Sequence, residues 1–219
     1  MQRGKYCRDC LPVREPYSCF KAVRREKSVL GAWIKGIIWY KKALKREPFI
    51  TGKVISVAKQ AGVDMVGTNC RIKSMNSYFK KFYRKYSQTG RACEIKDILR
   101  YTYTVSPELL SEKVIKMIEI YRNSSYNTVE IKNYWLDSQN PYNGINTILR
   151  SPQGQAFELQ YHTPESFAVK SGKIHELYKK QRLMRDVSSR EYIELGDQMF
   201  ELSDSMEIPK GIEKVNDHG

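Results

Sequence analysis

Apolar and polar residues alternate most regularly in "GQAFELQYHTPESF", residues 154 to 167. In a strand, Phe157, Leu159 and Tyr161 point to one side and Ala156, Glu158, Gln160 and His162 to the other. The first set needs a core. The second faces either solvent, as on an edge strand, or a cleft. The wider stretch "YNGINTILRSPQGQAFELQYHT" reads as a hairpin whose turn, Ser151 to Gly154, has Pro second and Gly last.

Elsewhere the period is that of helices. From Ser28, the residues Leu30, Trp33, Ile34, Ile37, Ile38 and Leu44 recur near 3.6 with Lys and Arg between them, until Pro48 ends the run. A second, short helix is expected over Ile50 to Gln60, stopped by Gly62. A short strand or loop then leads to a basic helix from about Ser74 to Tyr86, and "DILRYTYTV" reads as a strand opened by Asp97. Ser106 and Pro107 predict a helix start whose core-facing stripe is Leu110, Val114, Met117, Ile118 and Tyr121. "NTVEIKNYWLD" is a further strand, and two polar helices over Pro164 to Leu183 and Ser189 to Ser203 close the pattern. The order predicts an α/β or α+β fold, a mixed sheet of about four or five strands flanked by helices. A basic arm (1–27), one domain (28–205) and a loose tail (206–219) are the expected divisions.

Charge sharpens this. The 219 residues carry a formal net charge of +14, which on one body attracts polyanions: nucleotide phosphates, nucleic acid or an anionic surface. With no run of eighteen uncharged apolar residues and no apolar signal core, the expectation is a soluble cytosolic protein acting in the cytoplasm, not at a membrane. Export by a route needing no such signal stays open. Five cysteines fit no disulfide framework, and the Cys7, Cys10, Cys19 set lacks a fourth zinc ligand.

The window from Arg71 to Arg91 holds seven cationic residues and no Asp or Glu. Ser77 and Lys81 share a face near a helix start, which suits a phosphate chain, although there is no P-loop motif. Asp97 and Glu158, on neighbouring strands beside these cations, supply the minimum for Mg²⁺-assisted phosphoryl transfer.

"RIKSMNSYFKK", "DILRYT", "NPYNGINT" and "FELQYHT" occur in the order, and nearly at the spacing, of the synthetase domain of RelA/SpoT homologues, which residues 67 to 182 resemble. The resemblance implies a nucleotidyltransferase-like sheet and transfer of the β,γ-pyrophosphate of ATP to a ribose 3′-hydroxyl with Mg²⁺. By position it assigns Arg71, Lys73, Ser77 and Lys81 to ATP, Asp97 and Glu158 to the metal, and Tyr142 and Gln160 to the acceptor. Glu158 serves there as metal ligand, as general base for the 3′-hydroxyl, or as both. An Arg expected at position 102 is Thr102, so either Arg100 or Tyr101 replaces it or ATP binding is weaker. The acceptor block carries Gly144 and Asn146 where the family keeps Ser and His, and His162 where it keeps Arg. These changes put guanosine nucleotides in doubt as acceptor and look closer to toxin-like or phage-associated members.

The chain's three histidines form no HD pair, so the hydrolase half of such enzymes is not expected. The leading expectation is alarmone synthesis on a purine nucleotide, of the (p)ppGpp or (p)ppApp type, by a growth-inhibiting toxin with a neutralising antitoxin or immunity protein. The basic surface leaves room for a second acceptor, the tRNA 3′ end, and a third reading is an inactive nucleotide- or RNA-binding module.

Overall fold

The structure is a computed structural model that describes residues 29–216; the expected arm and its Cys7, Cys10 and Cys19 lie outside them. The chain opens with helix α1 (Val29–Ala61), followed by strand β1 (Asp64–Val66), helix α2 (Met75–Thr89), strand β2 (Arg100–Thr104) and helix α3 (Leu110–Asn123). Strands β3 (Asn127–Asn133), β4 (Ile145–Arg150) and β5 (Ala156–His162) come next. Helices α4 (Pro164–Val169), α5 (His175–Gln181) and α6 (Arg190–Asp204) follow. The sheet order is β1-β2-β5-β4-β3, with β2 and β5 parallel and the other pairs antiparallel, so the expected mixed sheet is present with five strands.

The hairpin forms as its sequence predicts: Gly154 N–H donates to the Ser151 carbonyl (2.8 Å) with φ +81, a conformation glycine adopts without strain. Its second strand, β5, is the middle strand of the sheet, which removes the edge-strand reading. On one face Phe157, Leu159 and Tyr161 join Tyr101, Tyr103 and the α3 stripe Leu110, Val114, Met117, Ile118 and Tyr121 in the core.

Five local expectations are corrected. Pro48 does not end a helix; α1 runs through it to Ala61, and Gly62 (φ +66) stops it. A proline inside a helix costs about 3 kcal/mol, but Ile50, Val54 and Val57 beyond it are buried, at roughly 1.5–3 kcal/mol each. The buried face of α1 is also not the large apolar one: Ala32, Gly36, Tyr40 and Ala43 face inward, while Leu30, Ile34, Ile37 and Ile38 are exposed. Small residues are needed there because the Phe82 ring of α2 would lie 3.1 Å from a Cβ on Gly36. Next, α3 starts at Leu110 rather than at Ser106. The preceding residues form a turn, Leu109 N–H to Ser106 O (3.1 Å), whose Pro107 carbonyl accepts from Lys210 N–H (3.2 Å).

The single helix expected over Pro164 to Leu183 is broken by a wide turn, Lys170–Ile174, with Gly172 at φ −99, ψ −110. Finally, the segment after Met206 is docked rather than loose as far as the described residues run. Ile212 and Val215 are buried, and the Asn133 amide donates to both of their carbonyls at 2.8 and 2.9 Å. None of the described helices is long and apolar enough to cross a membrane.

Candidate active site

The polar face of β5 organises the site because its register sets residues from three strands side by side. Glu158 lies between Arg100 of β2 and Ile148 of β4, and Gln160 between Thr102 and Asn146. Far from lining open water, this face is covered: Gln160 is 5% exposed and His162 fully buried.

One end of the row is cationic. Asp97, in the turn before β2 and 6% exposed, has Lys73 at 3.0 Å from Oδ2 and Lys81 at 3.0 Å from Oδ1. Arg100 links it to Glu158, donating to Asp97 Oδ2 at 3.0 Å through Nη2 and to Glu158 Oε2 at 2.5 Å through Nε. Burial alone would raise the Asp97 pKa, but Lys81 and Lys73 outweigh it and hold the carboxyl well below the usual range. Asp97 is therefore ionised at any physiological pH. Lys73 itself is fixed by its backbone, N–H to Ile98 O (2.8 Å), while the Tyr40 hydroxyl of α1 donates to its carbonyl (2.9 Å).

Ser77 stands in the exposed first turn of α2, whose N-cap Ser74 accepts from the Ser77 N–H and donates to its hydroxyl (3.0 Å). A helix N-terminus flanked by Lys73 and Lys81 is a natural seat for phosphate. Arg71 sits at the margin, where its Nε donates to Glu47 Oε1 at 2.5 Å and its Nη1 to Thr68 O at 3.0 Å. Sequence reasoning passed over Glu47, yet the signal was there: it is the one acidic residue in the whole of α1.

Of the two residues offered as replacements at position 102, Tyr101 is excluded. It points to the opposite face, 2% exposed, with its hydroxyl 2.8 Å from Thr51 and its ring edge-on to Phe157. Arg100 alone remains.

The other end of the row is polar and largely uncharged. The Tyr142 hydroxyl donates to Asn146 Oδ1 (2.8 Å) and lies 2.9 Å from His162 Nε2, while Asn146 Nδ2 reaches Glu158 Oε1 at 3.5 Å. Burial and the nearby Glu158 raise the Tyr142 pKa, so its hydroxyl keeps its proton. The loop bearing Tyr142 is fastened to α6, Asn143 and Ser203 exchanging two hydrogen bonds at 2.8 and 2.9 Å. His162 has Ser166 Oγ 3.0 Å from Nδ1, and burial, aided by Lys170, lowers its pKa to about 3. It is neutral, and its Nε2 is turned toward Tyr142 and Lys170.

Lys170, at the start of the kinked turn, completes this end and was not anticipated from the sequence. Its Nζ donates to Gln160 Oε1 (2.6 Å), approaches His162 Nε2 (3.3 Å) and sits 5.6 Å from the ring centre of Tyr142. Burial, reinforced by Arg100, lowers its pKa to about 8.

Comparison with solved structures shows that this five-stranded mixed sheet flanked by helices is a fold shared with small alarmone synthetases. The chain superposes with a TM-score of 0.54 at 21% identity on the type VI effector Tas1, crystallised with its immunity protein, covering 80% of this chain and 95% of that one. Two small alarmone synthetases of Bacillus subtilis are similar: synthetase 2 at 18% identity and synthetase 1 at 13%, both with a TM-score of 0.51. They match 78% and 80% of this chain and 90% of each of theirs. The chain matches no protein-family model and no curated protein sequence. The RelA/SpoT-like synthetase fold is thus carried by three-dimensional likeness at low identity.

Proposed function

We propose that the protein is an ATP-dependent pyrophosphokinase that transfers the β,γ-pyrophosphate of ATP to the ribose 3′-hydroxyl of an acceptor nucleotide, making an alarmone. The observation that carries this is the position of Glu158, on the seam between a phosphate-compatible cluster (Lys73, Lys81, Arg100) and a polar pocket (Tyr142, Asn146, Gln160). A base that meets both substrates must stand at such a seam.

Lys73, Lys81 and the first turn of α2 with Ser77 bind the phosphate chain, and Arg71 holds the adenine end. Asp97 and Glu158 offer only hard carboxylate oxygens, Asp97 held ionised by its lysines, and this donor set suits Mg²⁺, which would add charge neutralisation to the phosphates. Arg100, now shared by the two carboxylates, is the cation a phosphate chain would draw toward itself. Tyr142, Asn146 and Gln160 orient the acceptor, with His162 behind them as a positioning residue. Glu158 takes the 3′-hydroxyl proton as the new O–P bond forms and AMP leaves. Most of the acceleration comes from placement and electrostatics.

A second acceptor, the 3′ end of tRNA, is favoured by exposed cations on both flanks: Lys80 and Arg84 on α2, and Lys173, Lys179, Lys180, Arg182 and Arg185 beyond the kink. None of these makes an ion pair among the described residues. Unrestrained transfer would drain ATP, so we also propose that a cell making the protein holds a neutralising partner, as Tas1 has its immunity protein.

The test is incubation with γ-labelled ATP and Mg²⁺ against GDP, GTP, AMP, ADP, ATP and bulk tRNA. Label on a nucleotide supports the first reading and salt-sensitive label on tRNA the second. No label on any acceptor overturns both and leaves a binding module.

A further inference from the structure

The large apolar residues that α1 leaves outside the core are not scattered. Leu30, Ile34, Ile37, Lys41 and Leu44 follow one another in steps of four, three, four and three, the spacing at which a helix presents a coiled-coil seam, and Pro48 stands at the next position. The four apolar members, with Ile38 beside them, are between 38 and 69% exposed. Trp33, next in sequence to Ile34, stacks on Phe79 and Tyr83 of α2, and the Tyr83 ring is exposed in turn, so the apolar surface continues onto the second helix. Contiguous apolar surface of this kind marks a place of contact.

The other side of α1 holds this seam rigid. Ala32, Gly36, Tyr40, Ala43 and Glu47 are buried against the domain, where the Tyr40 hydroxyl donates to the Lys73 carbonyl (2.9 Å) and Glu47 accepts from Arg71 Nε (2.5 Å). The exposed side is thus presented already ordered, which favours binding. It also borders the end of the site where Arg71 and Lys73 stand.

Charge decides what can cover the seam. Lys41 lies within it and Lys45 at its edge, both exposed and neither in an ion pair among the described residues. α1 has one acid, the buried Glu47, and α2 has none. A second copy packed by two-fold symmetry would set this surface against itself, bringing further lysines and no carboxylate. Residues 1–28 of the chain hold eight Lys and Arg against three Asp and Glu, so they carry the wrong sign as well. An anionic lipid surface suits lysines that flank an apolar stripe, whereas Lys41 interrupts this one.

We infer that this face of α1 is the seat of a helix from an acidic partner protein, laid along Leu30 to Leu44 with an apolar seam of its own and a carboxylate opposite Lys41. A single polar residue at a seam position fixes register, and here it also makes the surface selective. An apolar helix lacking the carboxylate would strip water from the ammonium and return nothing. The partner is separate from the nucleotide and tRNA substrates, and no step of transfer depends on it.

The experiment titrates the full chain, by fluorescence anisotropy, with a labelled synthetic helix of about three heptads that carries Leu along its seam, Glu at one seam position and Glu on both flanks. A second peptide differs only in having Lys at that seam position. The proteins are the parent, Ile37→Asp and Lys41→Glu, both substitutions falling on exposed side chains, with denaturant midpoints to establish that each is folded. The Glu peptide should bind the parent about ten-fold or more tightly than the Lys peptide, and Ile37→Asp should weaken it by a similar factor. Lys41→Glu should reverse the preference between the peptides, which diffuse attraction to a basic protein would not do. Equal binding of the two peptides to the parent, or a preference that Lys41→Glu leaves in place, overturns the inference. So does self-association of the parent in sedimentation that Ile37→Asp abolishes, which would give the face to a second copy. Binding of the parent but not Ile37→Asp to mixed phosphatidylcholine and phosphatidylglycerol vesicles, with neither peptide bound, would give it to a membrane instead.

Discussion

A Cβ on Gly144 would stand 2.6 Å from Cε1 of His162 and within 3.1 Å of both ring nitrogens. The two departures from the RelA/SpoT pattern at these positions are therefore one feature. The imidazole occupies the space that a serine side chain at position 144 would need. Gly144→Ala should cost about 1–3 kcal/mol through overpacking, and far less in a His162→Ala background. Denaturant unfolding of the two single variants and the double variant checks this; additive losses would show that the cost at position 144 does not come from the His162 ring.

The buried neutral state of His162 gives stability a pH dependence. An unfolded histidine titrates near 6.5, whereas burial and Lys170 hold the folded one at about 3. The unfolded chain thus binds the extra proton between these values. The stabilisation is complete above about pH 6.5 and is lost progressively as pH falls toward 3, at roughly 1.4 kcal/mol per pH unit. Relative to His162→Gln, the parent should lose about 2 kcal/mol between pH 7 and pH 5. Parallel stability curves for the two proteins over that range would rule out a buried neutral imidazole.

What the sequence disclosed follows from which forces are local. The strict period of two from Ala156 to His162 was enough to sort the face carrying Glu158 and Gln160 from the face carrying Phe157 and Leu159, because alternation is a property of one strand. That the polar face would be covered was not legible, since its cover is the α4 segment and the kink at Gly172. Lys170 was hidden for the same reason: among Lys170, Lys173, Lys179 and Lys180 nothing in spacing marks the one turned inward. In α1 the large apolar residues suggested a core face, but tight packing on Phe82 selected the small ones, Ala32 and Gly36.

Asp97 and Glu158 share Arg100 but should fail differently. Glu158→Gln keeps a hydrogen-bonding group toward Arg100 and removes the proposed base, so transfer should fall about 10²–10⁴-fold with little change in stability. Asp97→Asn instead strips the charge facing Lys73, Lys81 and Arg100. That loss should cost on the order of 3 kcal/mol at pH 7. Since the Asp97 pKa is depressed in the fold, its stabilisation is present above the unfolded value near 3.9 and is lost as pH falls below it. The gap between the parent and Asp97→Asn should accordingly narrow below about pH 4. Full transfer by Glu158→Gln would remove Glu158 as the base.

The C-terminal segment should behave as part of the folded unit. Asn133 donates to the carbonyls of Ile212 and Val215, and Ser111 Oγ to that of Gly211 (2.6 Å), so three successive anchors hold it against β3 and α3. Asn133→Ala leaves two of these carbonyls without their donor, at about 1–3 kcal/mol. Ending the chain after Ile208 also exposes what Ile212 and Val215 cover, at roughly 1.5–3 kcal/mol for each buried side chain. Tyr134, next to Asn133, packs edge-on against Tyr142 at 5.1 Å, so both changes should weaken acceptor binding before they affect ATP. Denaturant midpoints together with separate titrations of ATP and acceptor test this, and a truncated protein with the parent's midpoint would show that the tail contributes nothing to the fold.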